Sequence, residues 1–201
     1  MGVGVRAADA LERAAEVALS RVAYGAAEDL LKKAVDLRRS AGSGLDDDVR
    51  ELEASFRLLE VARSRRYFQE AVTSVTVLER AKDLAERTGR EAMLWDLRWF
   101  EFSAYATSAR TDEVVAKAEL FRQAVTSDNP VTRATALQIM GVANWSIGNL
   151  REAIGHLDVA EEILAGIPMP TSGMAAEQRT VAYGFWLWHH AIAGDRSMAQ
   201  T

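Results

Sequence analysis

Residues 134–165 read ATALQIMGVANWSIGNLREAIGHLDVAEEILA, and this stretch sets the architecture. Leu137, Gly141, Gly148, Ala153, Leu157 and Ala160 recur at the spacing of two short helices joined by a tight turn. Gly141 and Ala153 fall where the two helices of such a hairpin cross closely, and a larger side chain there would push them apart. Gly148 falls at the turn, where a residue of positive φ is easily accommodated. Leu157 and Ala160 are left to face the next hairpin. A hairpin of this kind buries its apolar face only against neighbours, so a chain of them is a scaffold for binding.

Working outward, the same spacing predicts hairpins over 7–40, 47–88, 91–126, 130–165 and 172–201, read as a single helical-repeat domain over 1–201. In the first, Ala27, Leu31 and Ala34 repeat the pattern of Ala153, Leu157 and Ala160. In the second, Leu52, Phe56, Leu59 and Ala62 form one stripe, and Leu78, Ala81 and Leu84 its partner. Asp46–Asp48 suit the start of a helix, and they lack the later Gly and Glu of a calcium loop. The third hairpin has Ala116 and Leu120 on its second helix. Asn129-Pro130 opens the fourth. The small residue equivalent to Gly141 falls at Ala15, Ala62 and Ala104, and then at Leu187, which breaks the rule. After Gly194-Asp195 a partner helix is due, and Arg196–Thr201 supply barely one turn of it. The sequence is therefore read as a piece of a longer protein.

Composition supports an all-helical fold. Hydrophobic residues make up 49% of the 201, and there are only three prolines, Pro130, Pro168 and Pro170. Without cysteine there is no disulfide or thiolate metal site. A net charge of −5 argues against a phosphate-backbone partner, so no nucleic acid is expected to bind through this segment. The most apolar run, Val181–Ala193, is too short to span a bilayer, and the N-terminus lacks a signal peptide's apolar core; the expected location is cytoplasmic, with no membrane partner.

In a right-handed superhelix of stacked hairpins, the first helix of each lines the concave wall. The residues expected there are Glu12 and Glu16, then Arg63, Arg66 and Tyr67, then Arg98, Glu101 and Tyr105, and finally Gln138, Val142, Trp145 and Trp188. This wall is mixed in charge and aromatic toward its far end, which suits a peptide or an amphipathic small molecule. Trp95, Trp99, Phe100, Phe102 and Tyr105 crowd one helix, and Phe185, Trp186 and Trp188 another. The expected role of most such rings is to fill gaps between helices; the alternative reading is that two or three line a pocket. His189 and His190 have Ala193 and Gly194 at i+4, so neither begins a helical metal pair. There is no local Ser/His/Asp set, phosphate loop or HExxH motif, and neither an enzyme nor a cofactor is expected.

The 134–165 unit resembles the tetratricopeptide superfamily. The segment ALERAAEVALSRVAYGAAEDLLKKAVDL at 10–37 is similar to the first repeats after the ATPase module in large ATP-binding LuxR-type regulators with a MalT-like helical domain, and in related actinobacterial regulators. SVTVLERAKDLAERTG at 74–89 and the stretch from Ser127 to Leu164 fit the same pattern. The resemblance implies an all-α TPR-like solenoid of about five hairpins. Its role would be the sensing arm of a regulator, binding a protein, a peptide or a small-molecule inducer, while ATP and DNA are handled elsewhere in the parent. A stand-alone adaptor, or self-association through an uncapped last hairpin, are the other readings the residues leave open.

Overall fold

The computed structural model describes residues 3–42, 44–65, 75–107, 111–168 and 173–193; at 64, 65, 104, 106, 107, 173–178 and 193 it describes the backbone alone. Nine α-helices run through these residues: α1 Val3–Ser20, α2 Tyr24–Ala41, α3 Leu45–Arg65, α4 Val75–Arg87, α5 Glu91–Thr107, α6 Thr111–Glu119, α7 Pro130–Ser146, α8 Leu150–Leu164 and α9 Gly173–Ala193. A 3₁₀ turn at Arg122–Thr126 separates α6 from α7, and no strand occurs among the described residues. The all-α expectation holds. The chain divides within α5 into two compact units, Met1–Arg98 and Trp99–Thr201.

One local device recurs. After α1, α4 and α7 a single residue turns to positive φ: Val22 at 60°, Gly89 at 66° and Gly148 at 80°. In each case the next amide reaches back five residues to close the helix: Ala23 N to Ala18 O, Arg90 N to Ala85 O and Asn149 N to Asn144 O, each 2.9 Å. This is the left-handed helix stop, and the following helix begins one residue later. Gly89 and Gly148 suit that conformation. Val22 does not, being β-branched and 70% exposed, with no packing to hold it there. The start of α7 follows the other rule: Asn129 Oδ1 accepts from Val131 N at 2.9 Å and Thr132 N at 3.3 Å, with Pro130 in the first turn.

In the first unit α2 packs on α1, α3 on α2, and α4 on α3. Ala15, Ala27, Leu31, Val35, Ala54, Leu58 and Val61 form a shared core. Charges fasten the helices around it. Buried Arg38 holds Asp9 at 2.5 Å and Glu12 at 2.9 Å, tying α2 antiparallel to α1. The carboxylate of buried Glu51 on α3 takes Arg39 from α2 at 3.2 Å. It also takes a two-pronged contact from Arg80 of α4, at 3.2 and 3.1 Å. Arg87 pairs with Asp48, so the acidic start of α3 is neutralised from α4.

In the second unit α8 packs along α7, α6 and the 3₁₀ turn lean on α7, and α9 packs on α8 and α7. Here close approach replaces charge. A Cβ placed on Gly141 would lie 2.7 Å from Leu157 Cγ, 2.8 Å from Leu157 Cδ2 and 3.2 Å from the Ala153 carbonyl oxygen. Glycine is what lets α7 and α8 nest at this crossing. Leu157 is 1% exposed, and burying such a side chain contributes about 2 kcal/mol. Arg179 of α9 donates to the Leu164 and Ile167 carbonyls, both at 2.9 Å, and so satisfies the end of α8.

Packing corrects the reading of α6. Ala116 and Leu120, the residues that marked the second helix of the third hairpin, are exposed; Val114, Ala118, Phe121 and Ala124 are buried. The helix stops at Glu119, and the 3₁₀ turn brings Phe121 under the Phe102 ring at 6.4 Å between centroids. A pattern continued to 126 as α-helix misses this change of twist.

Candidate functional site

Among the expected wall residues of the second unit, Trp145 and Trp188 meet. Trp145 lies in the last turn of α7. Phe185 and Trp188 are three apart on α9 and therefore share a face. The Trp145 ring lies 5.1 Å from Phe185, edge to face, and 6.2 Å from Trp188; Phe185 and Trp188 are 6.2 Å apart. Trp188 remains 62% exposed, and Ile192, one turn along, 68%. Trp145 Nε1 is shielded from solvent and has no hydrogen-bond partner among the described residues. An indole N–H left in that state costs about 1–3 kcal/mol relative to a paired one. The cluster thus combines bare aromatic surface at Trp188 with a shielded donor at Trp145.

The other side of α9 is built differently. Tyr183 stacks on Trp186 at 5.4 Å, and Trp186 meets His190 edge to face at 4.7 Å. Trp186 Nε1 donates to Asp158 Oδ1 of α8 at 2.8 Å, and His190 Nε2 lies 3.3 Å from the same oxygen. The pairing of Asp158 with α9 had no signal in the sequence beyond an exposed carboxylate at helical spacing.

The remaining wall residues take up local bonds. Gln138 is buried and donates to Glu161 Oε1 at 3.4 Å; burial raises the Glu161 carboxyl, while Gln138 and Arg179 oppose that rise. Glu101 is buried and paired with Lys117, whose ammonium sits 5.6 Å over the Tyr105 ring. In the first unit, the Arg98 guanidinium lies 4.8 Å over the Trp95 ring and 3.5 Å from Glu86. Arg63 is half-buried on α3. Arg66 and Tyr67 lie outside the described residues.

Asp96 went unmarked in the sequence, although a carboxylate within the apolar run LWDLRWF is an anomaly. Burial, and then the Glu60 carboxylate on α3, raise its carboxyl from 3.8 to about 6. Among the described residues no three His, Asp or Glu gather as a metal site, and no helix is long and apolar enough to cross a membrane. No known family model matches the chain, and no curated protein does.

Proposed function

We propose that this chain is a non-catalytic recognition module whose working surface is the ring face of Trp145, Phe185 and Trp188. One observation carries the reading: Trp188 stays largely bare within an aromatic cluster that also holds an unpaired, shielded indole N–H. The occupant is an apolar or aromatic group carrying a hydrogen-bond acceptor, as in a peptide segment or a small amphipathic molecule. The finer architecture is a TPR-like right-handed superhelix of about five hairpins. The glycine nesting of α7 on α8 and the recurrent left-handed turns support it.

Tryptophan fluorescence and thermal shift against a panel of peptides and metabolites test the reading. Trp188→Ala is expected to weaken a hit at least tenfold, and Trp145→Phe, which keeps the ring and removes the N–H, several-fold. Hits indifferent to both substitutions would refute the ring face as the site. The setting favoured by the resemblance is the regulatory arm of an ATP-dependent transcription regulator. A nucleotide-binding module in the same polypeptide is the expected finding; a gene without one favours the adaptor.

A further inference from the structure

We infer that the opposite side of α9, where Asp158 meets Trp186 and His190 and Tyr183 stacks on Trp186, is a second binding site, for an arginine side chain of a partner peptide. Asp158 is 51% exposed, yet its orientation is fixed, because Oδ1 sits against Trp186 Nε1 and His190 Nε2. Its other oxygen has no partner among the described residues, and no lysine or arginine pairs with it there. A held carboxylate with one open oxygen is a ready acceptor for a cation.

The surroundings select the kind of cation. Tyr183 is 36% exposed and stacks on Trp186, the same ring whose N–H holds the carboxylate, so partly open aromatic surface adjoins the ring that carries it. Glu162 is exposed one turn further along α8. Gly155, one turn earlier, is exposed, and a Cβ there would meet nothing within 4 Å, which leaves the approach clear. A planar guanidinium can lie on an aromatic face while its edge pairs with a carboxylate; a compact ammonium satisfies only the charge. The net charge of −5 favours the approach of a basic peptide. The site uses none of the rings of the Trp145–Trp188 face, so it stands or falls separately.

The test follows the Trp186 indole N–H resonance of the full chain during titration with a short blocked peptide rich in arginine and glycine. Counterparts carrying citrulline or lysine in place of arginine are run alongside. The arginine peptide is expected to shift the resonance saturably, the lysine peptide several-fold more weakly, and the citrulline peptide not at all. Asp158→Asn, which keeps an oxygen for Trp186, should weaken arginine binding about tenfold. Tyr183→Leu should weaken it several-fold, and Trp188→Ala should leave it unchanged. Equal binding of the arginine and citrulline peptides, or full binding by Asp158→Asn, would overturn the site. Equal binding of the lysine peptide would overturn the choice of guanidinium. The citrulline comparison uses the unaltered protein, so it holds whatever the variants do to folding.

Discussion

The α1–α2 and α7–α8 hairpins close with the same turn and both bury apolar residues, and they differ in what else joins their helices. In α7–α8 the turn is a glycine, and the helices nest because Gly141 has no side chain to strike Leu157. In α1–α2 the turn is a strained valine, and Arg38 reaches across to Asp9 and Glu12. Turn geometry therefore does not dictate how the two helices adhere. Packing tolerates no added volume at its crossing, whereas ion pairs tolerate shape but carry a desolvation cost.

The largest effect should come from filling the crossing. Gly141→Val is expected to lower stability by about 3 kcal/mol, because the neighbouring Ala153 carbonyl is backbone and cannot turn aside. Urea unfolding measures this. Hydrogen exchange should place the loss in α7 and α8 and leave α1 and α2 protected. Loss of protection shared equally by the first hairpin would erase the contrast.

A smaller effect lies among the charges of the first unit. Asp96 keeps its proton to about pH 6 when folded, against 3.8 ordinarily. Between those values the folded state binds more protons than the unfolded chain, so stability falls as pH rises from about 4 to about 6, and stays lowered above that. Asp96→Asn should therefore stabilise by about 2 kcal/mol at pH 7.5 and by almost nothing at pH 3.5. Urea midpoints at the two pH values decide it; an equal gain at both would mean that the carboxylate's charge is not the cause.

The smallest effect exchanges the turns. Val22→Gly should stabilise by about 1 kcal/mol, relief of the left-handed strain exceeding the added freedom of the unfolded chain. Gly148→Val should destabilise by about 1–2 kcal/mol through the backbone alone, since a Cβ there meets nothing within 4 Å. Melting temperatures moving in opposite directions would show that one turn serves both hairpins.

Much of this was legible in the sequence because small residues and turn residues act locally. Gly141, Gly148 and Asn129-Pro130 each carry their reason within a few positions. Ala116 misled because the buried face of α6 is the one carrying Val114 and Ala118, and Leu120 because α6 stops just before it and a tighter turn follows, which aims Phe121 and Ala124 inward instead. The wall residues were harder to read. Spacing gives a face, but whether Glu101 meets solvent or Lys117, or Gln138 a ligand or Glu161, depends on residues 16 and 23 positions away. Trp145 and Trp188 could be named individually, while their meeting belongs to the docking of α9.

Arg179 gives that docking a reach beyond its own contacts. The Leu164 carbonyl at the end of α8 and the Ile167 carbonyl just beyond it both accept from this one side chain, so anything that loosens α9 strips those two bonds and leaves Leu164 O only the Ile167 amide. An occupant that clamps α9 should then slow amide exchange at the far end of a helix it never touches. In that way a local event at the rings is relayed to a neighbouring segment through two shared protons.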